Sequence, residues 1–238
     1  MTNHSAMGAG LDSRLSTGYG GRFYGVYAAV VIDVVDGDDQ GRVRIRLPWS
    51  PDADGSRYEA WARLATMMAG QDRGSWFVPD PDDEVLVAFE AGDPRRPYVV
   101  GALWNGQDAP PASMDGAGRN EIKRLRSRSG VTVTLDDASG QERLTLETPG
   151  GQTVELRDGP GEIELRDQNG NTVKLEPAGV TVNAAAKVTV QASTVEITAG
   201  QVTVSAGLSR FSGVVQADTV ITNAVVSSSY TPGAGNIW

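Results

Sequence analysis

Cysteine is absent from this 238-residue chain, which excludes a disulfide framework and any thiolate metal site. Histidine occurs once, as His4, inside a Gly- and Ser-rich stretch where a solvated tail residue is the expected reading. Ser-His-Asp and Cys-His chemistry are therefore out of reach. No apolar run is long enough to span a bilayer as a helix. Met1–Gly10 lacks a basic segment followed by an apolar core, so no secretory leader is expected and synthesis in the cytoplasm is the default. Net positive charge is lacking too: the balance is −9 with a pI near 4.7, against a duplex nucleic-acid partner. Aromatics are missing from 131–204, and after Glu176 only Lys187, Glu196, Arg210 and Asp218 carry charge.

What fills 131–204 is a repeat. Two aliphatic residues flank one polar residue, and a polar or glycine turn follows: Val131/Val133, Leu144/Leu146, Val154/Leu156, Ile163/Leu165, Val173/Leu175, Val180/Val182, Val188/Val190, Val195/Ile197 and Val202/Val204. From Leu144 onward the pairs start 10, 9, 10, 7, 8, 7 and 7 residues apart. A period of two within each unit is strand geometry. A longer repeat of short strands indicates a stacked β architecture. Two inward aliphatics cannot hold one short strand alone. Burial must come from stacking units in one chain or from sharing an axis with other chains, and the period alone allows either. The thin inward face and the missing aromatics favour three chains. Val180, Val182, Val188, Val190, Val195, Ile197, Val202 and Val204 are the candidate residues of the shared core.

The rest divides by composition. Residues 1–20 are Gly- and Ser-rich and read as a flexible N-terminal arm. Residues 21–105 read as a small closed barrel such as an OB fold. Tyr24–Val35 is β-prone, and Asp36–Gly41 is a turn cluster. Val43, Ile45 and Leu47 alternate inward with Arg42, Arg44 and Arg46 outward. Trp61–Ala65, Trp76–Pro79, Glu84–Glu90 and Tyr98–Trp104 supply further strands, with Trp49, Trp61, Trp76 and Trp104 expected in the core. Residues 106–130 are linker and neck. Lys123-Arg124-Leu125-Arg126-Ser127-Arg128 within them reads as a solvated neck or a contact with an acidic ring protein, since no interleaved aromatic offers base stacking. Residues 131–229 form the spike. Residues 230–238 form a tip segment in which Trp238 either caps the narrow axis or anchors a separate protein.

The ordered set Tyr24-Gly25-Val26-Tyr27, Gly41-Arg42-Val43, Leu47-Pro48-Trp49, Trp61-Ala62-Arg63, Trp76-Phe77-Val78-Pro79, Asp83–Phe89, Gly92–Tyr98 and Gly101–Asn105 resembles the N-terminal OB domain of contractile-tail spike proteins. That family takes in phage baseplate assembly protein V, the valine-glycine-repeat spikes of type VI secretion and the spikes of extracellular contractile injection systems. Ser127–Gly130, Leu135–Asp137 and Gly140 look like the family's entry into its β-helix. The resemblance implies an all-β fold, an OB barrel followed by an intertwined trimeric β-helix. It implies a structural homotrimer at the tip of a tail tube, joining inner-tube and baseplate proteins and piercing the target envelope on sheath contraction, with envelope contact only transient. Cargo is an open role. No cofactor and no nucleic acid are implied. Some family spikes end in an iron-holding histidine cluster, which this chain lacks. That departure points to a separate PAAR-type tip protein met by Tyr230, Ile237 and Trp238. Some members insert a lysozyme-like domain between barrel and rod, and 106–121 is too short for one. The expected place is a phage-tail-like particle assembled in the cytoplasm, with extracellular release open.

Other functions find less support. The acidic pairs Asp38/Asp39, Asp82/Asp83 and Asp136/Asp137 sit in turns, where Asp is an ordinary turn former. A glycosidase would need carboxylates across an aromatic-lined groove. Asp36–Asp39 lacks a full calcium register. The alternative kept open is an OB-fold module that captures a carbohydrate or oligonucleotide, trimerised by a β-solenoid stalk. A β-helical lyase or adhesin lacks catalytic bases and aromatics here.

Overall fold

The structure is a computed structural model that describes residues 21–51 and 57–229. The expected arm at 1–20, with His4, and the tip residues Tyr230, Ile237 and Trp238 lie outside the described residues. The chain divides into two compact units, the first running to Lys187 and the second beginning at Val188.

The first unit opens with a five-stranded barrel. Its strands are β1 (Val26–Asp33), β2 (Val43–Pro51), β3 (Arg57–Leu64), β6 (Glu84–Phe89) and β7 (Pro97–Ala102), closed in the order β1-β2-β3-β7-β6. Neighbours are antiparallel except β3 and β7, which run parallel. A small hairpin, β4 (Ala69–Gly70) and β5 (Arg73–Gly74), is inserted between β3 and β6. The alternation in β2 is realised as expected: Val43, Ile45 and Leu47 are fully buried, with Val31, Val85 and Val87 packed among them. One end of the barrel is filled by rings. Phe23 lies 5.0 Å from Phe89, and Tyr27 stacks on Trp49 at 5.2 Å.

Two details differ from the sequence expectation. Trp76–Pro79 is not a strand, because Pro79 and Pro81 remove ladder donors where pairing would be needed. Trp76 and Trp104 are not core residues either; they are 77% and 70% exposed. Trp49 is packed by Tyr27 and Phe23, and Trp61 is half-buried.

Seven strands follow in one antiparallel meander: β8 (Ile122–Arg126), β9 (Thr132–Asp136), β10 (Arg143–Glu147), β11 (Thr153–Arg157), β12 (Glu162–Arg166), β13 (Thr172–Glu176) and β14 (Gly179–Asn183). The basic neck run thus supplies an edge strand, and its cations suit an exposed edge that must not pair with other chains. Arg128 also ties this region to the barrel through Asp80 at 2.8 Å. The aliphatic repeat is therefore strand for strand in place up to Asn183, but each strand folds back on the last within one chain.

Turn chemistry explains both the meander and its end. The loops up to β14 carry Pro149-Gly150-Gly151, Asp158-Gly159-Pro160-Gly161, Asp167–Asn171 and Pro177. Gly161 and Gly170 adopt positive φ, and the Asp167 carboxylate accepts from the amides of Asn169 and Asn171, both at 2.9 Å. The first two spacers past Asn183 are Ala184-Ala185-Ala186-Lys187 and Gln191-Ala192-Ser193-Thr194, and glycine returns only at Gly200. These offer no residue suited to the left-handed positions of a two-residue hairpin. The described residues of the second unit, 188–229, form no strand.

Candidate assembly surface

Strict register turns the repeat into two continuous rows on one face of the meander. One row runs Leu125, Val133, Leu146, Val154, Leu165, Val173, Val182. The other runs Leu135, Leu144, Leu156, Ile163, Leu175, Val180. Residues opposite one another across antiparallel strands share a face, so every rung presents aliphatic side by side with aliphatic.

Among the described residues, none covers this face. Leu156 and Leu175 remain 39% exposed, Leu165 43%, and Val180 69%. The reverse face is charged and yet better buried. Glu164 is 3% exposed, held by the Arg166 guanidinium and reached by Lys174 Nζ at 3.6 Å. Arg143 bridges Asp136 at 2.9 Å and Glu155 at 3.3 Å, and Arg157 binds Glu155 and, at 2.9 Å, Glu162. The Arg166 hydrogen bond, with Lys174 and Arg157 nearby, holds the Glu164 carboxyl below its ordinary range despite burial. Hydrogen bonding to Glu155 likewise pushes the Arg157 guanidinium up. The polar face is a satisfied lattice of ion pairs; the apolar face is unfinished. Removing the remaining apolar area of each Leu or Val from water is worth about 1 kcal/mol, and the rows supply a dozen such chances per chain.

The shared-core candidates fall in two places. Val180 and Val182 lie on β14, facing Leu175 and Val173 across the ladder. Val188, Val190, Val195, Ile197, Val202 and Val204 belong to the second unit, each between 59% and 73% exposed. The aliphatic rows extend well upstream of these candidates, running from β8 to β14. The signal was present in the Leu-containing pairs, whose wider spacing matches a strand plus a turn.

The chemistry of an active centre is not assembled on these faces. The described residues contain no group of three or more His, Cys, Asp or Glu placed to hold a metal ion. The Asp36 loop is occupied by the protein itself: the Asp36 carboxylate takes the Arg42 guanidinium at 2.6 Å and the amides of Asp38, Gln40 and Arg42. A shallow cleft between turns is lined by Asp136, Gln141, Arg143 and Arg157, whose two cations already have carboxylate partners. None of the described helices is long and apolar enough to cross a membrane.

Comparison with known proteins accounts for both halves. A model of the type VI secretion system/phage-baseplate injector OB domain matches residues 27–104. A model of the phage baseplate V C-terminal trimerisation domain matches residues 143–207. The chain is similar to the type VI secretion system spike proteins VgrG1b and VgrG4b of Pseudomonas aeruginosa, at 27% identity over 128 residues and 31% over 112. It is also similar to the actin cross-linking toxin VgrG1 of Vibrio cholerae, at 27% over 113 residues. These matches take in 51%, 45% and 46% of this chain but only 17%, 14% and 10% of those proteins. The chain thus spans less than a fifth of the length of the curated relatives it matches.

Proposed function

The chain belongs to the contractile-tail spike family, and from that membership we propose that it is the central spike of a phage-tail-like injection machine, acting as a homotrimer. The observation that carries this reading is the pair of aliphatic rows left open on the meander, which from Leu144 onward fall within the region that matches a trimerisation domain. Three copies turning these rows toward a common axis would dry them together and leave the ion-paired faces outside.

In this reading the barrel is the hub that meets inner-tube and baseplate proteins. The distal segment 188–229, unpaired in a single chain, winds with its two counterparts into a β-helix with Val188, Val190, Val195, Ile197, Val202 and Val204 on the axis. The role is mechanical rather than catalytic: the spike passes axial force to the target envelope when the sheath contracts. Backbone hydrogen bonds shared among three wound chains would bear that load in parallel. A PAAR-type protein seated on the C-terminal segment would supply the point. Assembly would take place in the cytoplasm of the producing cell.

Exposed Trp76, Phe77 and Trp104 are what the alternative, an OB-fold ligand-binding module, would require. None of these three lies on β2 or β3, the strands whose face OB folds use for oligonucleotides and sugars; Trp49 and Trp61, which do, are stacked on Tyr27 and covered by Arg42 respectively, and the spike reading is preferred. The direct test is the native mass of the purified chain. About three times 25.1 kDa supports the spike; a folded single chain with dry aliphatic rows overturns it.

A further inference from the structure

We propose that the outer face of β2 and β3 is a docking surface for a carboxylate-rich segment of another protein. This goes beyond the spike reading and does not depend on it, since it rests on the barrel alone. The face is cationic on a chain whose net charge is −9. Arg44 and Arg46 stand side by side on β2, and both bind one carboxylate, Glu59 of β3, at 2.9 and 2.7 Å. One negative charge therefore serves two guanidiniums whose side chains remain 45% and 40% exposed. Asp33, opposite Arg44 on β1, makes no ion pair with either arginine among the described residues; it accepts the Val35 amide.

Glu59 acts as a clamp. It fixes the two planar forks next to each other and leaves most of their donors unfilled. That geometry suits bidentate capture of further carboxylates. The aromatics on the same side of the barrel decide between an acidic protein and a nucleic acid. Arg42 lies over the Trp61 ring at 5.8 Å and Arg63 over the Tyr98 ring at 5.6 Å. Both rings are already covered by a cation, so neither is a free platform on which a base or a sugar could stack. What is left for a partner is charge and hydrogen-bond donors, the means by which acidic protein segments are recognised.

The test uses the full chain and a short, fluorescently labelled polyglutamate peptide, with an oligothymidylate of equal charge as competitor. Peptide anisotropy should report binding that weakens steeply as salt is raised. Arg44→Gln with Arg46→Gln should weaken it by about tenfold per arginine, as for loss of a charge-assisted hydrogen bond. Absence of peptide binding at low salt, or equal binding by the double variant, overturns the proposal. Tighter binding of the oligothymidylate overturns it in favour of a nucleic acid. A change in native mass in the double variant overturns it in favour of a contact between copies of this chain.

Discussion

At Gly41 the backbone enters β2 through a φ of +66°, and a Cβ there would sit 2.9 Å from the Trp76 ring. A side chain would meet both the left-handed strain and the indole, so Gly41→Val should cost about 1–3 kcal/mol of stability and alter tryptophan emission, read by urea unfolding. An unchanged unfolding curve would show that the turn relaxes freely. The neighbouring Asp36 makes a pH prediction. Its carboxyl is held well below the ordinary value of 3.8, first by the Arg42 side chain and then by the Arg42, Asp38 and Gln40 amides. A depressed carboxylate stabilises the fold fully above its unfolded pKa and loses that contribution as pH falls through its folded one. Asp36→Asn should therefore be less stable than the parent at neutral pH, and the two should converge in acid below the ordinary value. A gap constant with pH would assign the effect to packing instead.

Among the elements, the meander has an unusual distribution of burial: Glu164 is dry while Leu165 beside it is 43% exposed. Substitutions on its two faces should then act on different equilibria. Leu156→Lys would hardly disturb a lone sheet but would place three ammonium groups against one apolar axis in a trimer, at a cost of several kcal/mol. Thr145→Lys, on the opposite face, is the control and should leave assembly intact. Sedimentation of both variants separates the cases, and a trimeric Leu156→Lys protein would mean the rows are covered by something else. At this scale the sequence was largely legible. The period of two and the turn residues located β9 to β14. It misjudged β8, because a run with four cations in six residues reads as a neck until Leu125 is seen in line with Val133. It misjudged Trp76 and Trp104, because local pattern does not reveal which side of a closed barrel an aromatic beyond the strand end will face.

For the whole molecule the prediction concerns 188–229, which makes no strand in one chain although its aliphatic period continues. If these residues pair only between copies, their amides should resist hydrogen exchange in the native assembly and exchange at once in any dissociated chain. The thermal midpoint should also rise with protein concentration, because folding of this segment and association are one equilibrium. Rapid exchange throughout 188–229 in the assembled particle would remove the distal rod from the proposal.

The amino-acid sequence alone determined that the chain is all-β, where most of its strands up to Asn183 lie, and that its front half closes on an aliphatic and aromatic core. Those properties are local: alternation, turn chemistry and side-chain size act within a few residues. Tertiary structure alone decided that the repeat folds back as a meander, that its register lines the aliphatics into two unbroken rows, and that Arg44 and Arg46 meet over a single carboxylate. Each of these depends on which strand lies beside which, and that is set by pairing across distances no sequence period encodes.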